Sequence, residues 1–254
     1  MEPILPVQIA EQFHLIFLAH LTRGFDKRTL VVKGGCNLRF FHRSIRCSAD
    51  MDLDVHGVEP HVLRDKIRGI LASRPFSHVL ESRGIAIEHV TEHKQTPTVQ
   101  RWKFGLALEH VSRPFPTKVE FSRRGIDEGV EFSSLNPDLI AEHRLSPFMA
   151  SHYGAGTALR QKVGALARRT ETQARDVFDL HHLISGGAPL GALKALDPDD
   201  VDLARARATE VDFGMFKSQV LSYLRVEDRD RFDSSDVWDT LVLEVVDALG
   251  PPGP

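Results

Sequence analysis

The stretch RCSADMDLDV, residues 46–55, alternates three carboxylates with three apolar side chains. In an extended strand successive side chains point to opposite faces, so Asp50, Asp52 and Asp54 share one face while Met51, Leu53 and Val55 share the other. Carboxylates two residues apart lie roughly 6.6 Å from each other and repel by about 2.5 kcal/mol per pair at an effective dielectric near 20. Water or a cation has to answer that repulsion. A calcium loop starting at Asp50 would need glycine at 55 and glutamate at 61, where the chain has Val55 and His61. Two readings stay open on this stretch alone: a solvated edge strand carrying protective charge, or a divalent-metal site.

Upstream, KGGCNLRFF (residues 33–41) follows the apolar run TLVV. Lys33, Gly34 and Gly35 then sit at a strand-to-helix turn, where free backbone N–H groups and the positive helix end favour a phosphate. A lone Gly-Gly turn is usually only a tight connection. Here it lies 15 residues before the acidic strand, and nucleoside triphosphate chemistry needs an anion cradle and a dication together. Magnesium binds through one or two carboxylates plus substrate phosphate oxygens.

The chain of 254 residues is 42% hydrophobic, enough for a substantial core, with net charge −3. That average hides an asymmetry. Residues 196–254 hold 6 Lys+Arg against 14 Asp+Glu, net −8, which leaves +5 for the rest. A basic body is compatible with nucleic-acid contact, and an acidic end with solvated helices. Cys36 and Cys47 form no CxxC pair, which fits a reducing compartment. With Glu2 in place of a basic leader and no long apolar run near the start, a cytoplasmic protein with no membrane span is expected.

Periodicity predicts a helix over 7–21, a strand over 29–35, a helix over 36–42, the acidic strand, and a helix over 60–73. Strands follow from Ala86, Arg101 (RWKFGLALE), Thr117 (TKVEFSRR) and Gly129. LSPFMASHYGAGT (145–157), rich in small residues and turn formers, reads as a boundary. Beyond it, helices are expected at 158–170, 173–184, 199–209, 213–224 and 236–248, with a frayed PPGP end. The layout is α/β in residues 1–150 and all-α in 151–254.

The runs K-G-G-x-x-L-R (Lys33 to Arg39), R-x-S-x-D-x-D-x-D (Arg46 to Asp54), K-V-E-F-S (Lys118 to Ser122), K-x-x-A-L-x-x-R (Lys162 to Arg169) and R-D-x-x-D-L (Arg175 to Leu180) resemble the AbiEii-type toxin nucleotidyltransferases. These belong to the polymerase-β-like nucleotidyltransferase superfamily. The resemblance spans residues 33–180. It implies an α/β (α+β) fold, a mixed sheet flanked by helices and followed by a helical domain that contributes Lys162 and Asp176 to the site. It also implies that Asp50 and Asp52 hold magnesium and that Ser48 lies near the nucleotide phosphates. A third carboxylate in such folds comes from a neighbouring strand, and Glu120 is the candidate, although Lys118 and Glu120 also read as an ion pair on a solvated face. Asp54 is a less secure ligand than the two aspartates before it. Where relatives often place Thr or Ser after the glycines, this chain has Cys36, which is kept out of the site.

On helical projection Lys162 borders the apolar stripe formed by Leu159 and Leu166, and the resemblance assigns it to a triphosphate. Asp176 and Asp179 lie 60° apart on a helix apolar on both sides, so both acids need partners, and Arg175 or Lys162 can serve. The resemblance makes Asp176 an essential acid, while Asp179 reads as a structural ion pair. Arg39, Arg46, Arg169 and Arg175 are candidates for phosphates of RNA, which position a nucleic acid without reading its sequence.

The resulting expectation is a magnesium-dependent enzyme that transfers NMP from an NTP to the 3′ end of tRNA, a growth-inhibiting toxin with a cognate antitoxin. In that expectation Lys33, Gly34, Gly35, Ser48 and Lys162 hold phosphates, and Asp50, Asp52 and Glu120 hold metal. A protein acceptor, or a non-catalytic RNA-binding or partner-binding module of the same fold, are the rival readings.

Overall fold

A computed structural model describes residues 6–108 and 113–250. Glu109, the last residue expected in the Arg101 strand, and the terminal PPGP lie outside the described residues. The chain divides into two compact units, one of residues 1–41 and 47–152, the other of 42–46 and 153–254.

The first unit is built on a mixed sheet. Helix α1 (Pro6–Thr22) leads into β1 (Leu30–Lys33), α2 (Gly34–Phe41) and the acidic strand β2 (Asp50–Val55). Helices α3 (Pro60–Leu71) and α4 (Arg74–Glu81) precede β3 (Ile85–Gln95), β4 (Val99–Leu108), β5 (Phe115–Ser122) and β6 (Val130–Ser134). A short α5 (Pro137–Glu142) and β7 (Met149–Tyr153) follow. The strand order is β3-β4-β5-β2-β1-β7-β6, with β2 parallel to β5, β1 parallel to β7, and the β1/β2, β3/β4 and β4/β5 pairs antiparallel.

The segment 145–157, read as a boundary, contains the division at 152/153 and also carries a strand. Met149–Tyr153 is a strand inside the sheet, pairing Val32 with His152. Its sequence, MASHY, carries no alternation because four of its five residues are buried. Its polar members are satisfied internally, Ser151 on the carbonyl of Lys27 and His152 on Ser133 Oγ at 2.8 Å. Helix α4 was also missed: RPFSHVLE offers only Phe76 and Leu80 to the core.

Helix α1 is buried almost all round, with Phe13, Phe17, Leu18 and Leu21 fully inaccessible. Phe13 meets Phe104 of β4 at 4.9 Å between ring centroids, and Phe76 of α4 closes the same aromatic cluster. Two polar residues of this helix, Glu11 and His14, are buried with it. Glu11 accepts from Arg39 Nε at 2.5 Å, from Arg39 Nη2 at 3.2 Å and from His143 Nε2 at 2.9 Å.

The second unit is helical: α6 (Ala155–Arg168), α7 (Ala174–Ser185), α8 (Pro198–Ala208), α9 (Phe213–Gln219), α10 (Val226–Phe232) and α11 (Ser235–Ala248). Its core stacks Phe216 on Trp238, with Phe178 beside Phe216 and Phe232, and the Trp238 indole donates to the Val211 carbonyl. Helix α10, VEDRDRF, is absent from the sequence expectation, since Phe232 is its one buried residue. The segment His42–Arg46, which joins α2 to β2, belongs here. His42 Nε2 bonds the Tyr153 carbonyl at 2.8 Å, His182 Nε2 bonds the His42 carbonyl at 2.7 Å, and Arg43 takes a left-handed φ of 58°.

No helix among the described residues is long and apolar enough to cross a membrane.

Candidate active site

The register of β2 fixes one polar sheet face. Against β5, Asp50 faces Lys118, Asp52 faces Glu120 and Asp54 faces Ser122, and Glu120 in turn faces Arg101 on β4. On the other side Lys33 of β1 faces Asp52. Most of these charges neutralise one another. Lys118 Nζ donates to Asp50 Oδ2 at 2.8 Å, Lys33 Nζ to Asp54 Oδ1 at 2.5 Å, and Arg101 Nε to Glu120 Oε2 at 2.5 Å.

Asp52 is the exception. It lies between these pairs with no hydrogen-bond or ion-pair partner among the described residues. Burial lifts its carboxyl above the usual range; Asp50 and Glu120 add to that lift, while Lys118 and Lys33 oppose it. A half-buried acid held this way is a site for added positive charge.

The start of α2 meets Asp52 directly. Gly34 has φ +66°, and a Cβ placed there would lie 3.2 Å from Asp52 Oδ2. Glycine thus serves both the left-handed turn and the close approach. The first N–H groups of a helix lack intrahelical partners, so Gly34 and Gly35 bring backbone donors beside the unpartnered acid.

Several expected residues are engaged differently. Lys33 is bound to Asp54, a buried residue, so Asp54 holds a lysine. Among the described residues, no three His, Cys, Asp or Glu side chains group closely enough to hold a metal by themselves. Glu120, the third carboxylate expected, faces Asp52 across the strands and is ion-paired with Arg101. Arg39 does not present its guanidinium to a polyanion: it is 6% exposed and clamped by Glu11. Ser48 Oγ donates to the Asp50 carbonyl at 2.7 Å. Cys36 is buried, with its thiol pushed up by burial and by Asp52, and its Sγ donates to the same carbonyl at 3.3 Å.

Within the helical unit, Lys162, Asp176 and Asp179 form one buried cluster. Lys162 Nζ lies 3.0 Å from Asp176 Oδ1 and 2.6 Å from Asp179 Oδ2. Arg46 grips Asp179 with two bonds, Nε at 2.9 Å and Nη2 at 2.8 Å, and Arg169 Nε donates to Asp176 Oδ2 at 2.6 Å. Burial works against the charge on Lys162, but Asp179 and Asp176 raise its pKa on balance. Burial works against the charge on Asp179 as well, yet Arg46 and Lys162 hold its carboxyl well below the usual range. Arg46, expected to face RNA, is a buried partner of Asp179. Arg175 keeps a buried Nε without a hydrogen-bond partner. His181 meets Glu244 at 2.9 Å as an ordinary surface residue of α7.

Arg101, Thr117, His14 and Glu11 were given no role in the sequence reading. Arg101 alternates with buried Trp102 and Gln100 along β4, a signal that becomes specific only once the register with Glu120 is known.

A search of curated protein sequences returned no match. Among solved structures, the chain is similar to JHP933 from Helicobacter pylori, with TM-score 0.58 and 18% identity over 96% of this chain and 90% of that one. A putative nucleotidyltransferase from H. pylori gives 0.59 and 18% over 94% and 91%. The MenT4 nucleotidyltransferase toxin from Mycobacterium tuberculosis H37Rv gives 0.58 and 19% over 97% and 90%. At these identities the likeness speaks for the fold. The family model described as nucleotidyl transferase AbiEii toxin, type IV TA system, matches residues 16–246, so the chain belongs to the AbiEii family of nucleotidyltransferase toxins.

Proposed function

We propose that this nucleotidyltransferase moves a nucleoside monophosphate from an NTP to the 3′ end of tRNA in a magnesium-dependent reaction, and that a cognate antitoxin restrains it. The observation that carries the reading is Asp52, an unpartnered acid beside the glycine N-terminus of α2.

The donor set suits magnesium, which takes one or two carboxylates and fills its octahedron with water and phosphate oxygens. Asp52 and Asp50 would hold the ion, which when bound would neutralise phosphate charge as phosphorus changes partners. The chain's own groups do the rest. The backbone N–H groups of Gly34 and Gly35, at the start of α2, would donate to phosphate oxygens. Ser48 spends its proton on the Asp50 carbonyl and so fixes the entry into β2. Lys118, bound to Asp50, places an ammonium at the same face. In the helical unit Lys162 donates to one oxygen of Asp176 and Arg169 to the other, which fixes that carboxylate. The basic balance of residues 1–195, net +5, favours a polyanionic acceptor.

The test is a panel of labelled NTPs with tRNA, total RNA or cell-extract protein, in magnesium and in chelator. Label in tRNA that vanishes with Asp52→Asn and with chelator supports the reading. Label in protein removes the RNA acceptor, and label insensitive to Asp52→Asn removes the site.

A further inference from the structure

The acidic strand begins where its neighbour runs out. Strand β1 ends at Lys33, opposite Asp52, because the chain turns into α2 at Gly34. The first residue of β2, Asp50, thus lies past the end of β1, and side chains meet the backbone there. Ser48 Oγ and Cys36 Sγ both donate to the Asp50 carbonyl. The carbonyl just before it, on Ala49, accepts from Thr117 Oγ1 at 2.6 Å. Thr117 neighbours Lys118 on β5 and is buried.

The Thr117 hydroxyl has one proton, and Ala49 receives it. Its contact with His14 Nε2 at 2.8 Å must therefore be one in which the imidazole donates. His14 is then the neutral tautomer with its proton on Nε2, in keeping with a pKa that burial pushes down to about 4. Its other nitrogen, Nδ1, faces Cys36 Sγ at 3.8 Å. His14 on α1, Cys36 on α2 and Thr117 on β5 thus converge on two consecutive carbonyls at the entry to the acidic strand. All three side chains are buried, and none is part of the polar face that carries the carboxylates.

We propose that His14 and Thr117 are positioning residues for the metal carboxylates: the relay His14 to Thr117 to Ala49 sets the backbone from which Asp50 projects, and so sets metal affinity. The proposal rests on the magnesium reading above. Partners one layer behind a metal ligand commonly change metal affinity by 10–100-fold when lost.

The experiment is a Mn2+ titration of the full chain, free ion followed by electron paramagnetic resonance, for the parent, Asp52→Asn, Thr117→Val and Thr117→Ser. Valine keeps the shape of threonine and suits a strand, but has no hydroxyl; serine keeps the donor. The expected result is Mn2+ binding by the parent, its loss in Asp52→Asn, at least about tenfold weakening in Thr117→Val, and recovery to within about threefold in Thr117→Ser. If the parent binds no Mn2+, or Asp52→Asn binds as the parent does, the magnesium reading falls and this inference with it. If Asp52→Asn abolishes binding while Thr117→Val binds like the parent, the inference alone falls. Equal weakening in Thr117→Ser and Thr117→Val also overturns it. Should Thr117→Val fail to fold, His14→Met against His14→Gln repeats the comparison, since glutamine retains a donor near the Nε2 position and methionine does not. Equal Mn2+ affinity in that pair overturns the relay.

Discussion

Glu11 offers a quantitative test of how the first unit is held. Its carboxylate is 1% exposed and bonded by Arg39 and His143, both nearly as buried. Burial alone would raise its pKa, but the bonds from His143 and Arg39 win and bring it from 4.5 to about 2. A folded-state pKa below the unfolded one means stability that is complete above the unfolded pKa and drains away as pH falls through the folded one. At 1.36 kcal/mol per pH unit, the difference contributes about 3 kcal/mol at neutral pH, of which about 2 kcal/mol has gone by pH 3. Glu11→Gln should cost more than that at pH 7, about 3–5 kcal/mol, because the Arg39 guanidinium stays buried without its counter-charge. The chain has two tryptophans, Trp102 in the first unit and Trp238 in the second, so a Trp238→Phe background reports urea unfolding of the first unit by fluorescence. The gap between parent and Glu11→Gln should be widest at pH 7 and narrow by about 2 kcal/mol at pH 3. A gap that stays constant across that range, or no gap at pH 7, would refute the assignment of Glu11 as an ionised buried partner.

Two further outcomes follow from the geometry. Gly34→Ala should cost about 1–2 kcal/mol from the left-handed backbone, and should reduce nucleotidyl transfer far more than it reduces the unfolding midpoint, since the new methyl presses on Asp52; equal losses in both would show that the glycine serves the turn alone. Lys162→Met strips the shared cation from two buried acids and should destabilise the helical unit by about 3–5 kcal/mol, read from Trp238 in a Trp102→Phe background; an unchanged midpoint would mean that Arg46 and Arg169 suffice.

The acidic strand was legible because its chemistry is local. Alternation of Asp with Met, Leu and Val is a two-residue pattern, and the glycine turn sits a few residues upstream. The second unit was legible for a similar reason: 3.6-residue periodicity survives in α6, α7 and α11, each burying a continuous stripe. What stayed hidden depends on distance along the chain. The arginine expected on RNA, Arg39, finds its acid 28 residues earlier, and Arg46 finds Asp179 133 residues later. Neither separation leaves a trace in composition, so both arginines read as surface charge. Strand β7 was hidden by burial: small residues satisfied by partners elsewhere in the fold look like a turn-rich connector. The relay beneath Asp50 was hidden too, because His14 and Thr117 are 103 residues apart and each is unremarked alone.

The five residues His42–Arg46 have a practical consequence for anyone dividing this molecule. A truncation after residue 152 would retain them but discard Tyr153, His182 and Asp179, the groups that bind them. Arg46, two residues ahead of Ser48, would lose its ion pair with Asp179. An excised sheet fragment would therefore carry five residues of the other unit without the groups that hold them, and residues 153–254 added back as a separate polypeptide should recapture that short loop.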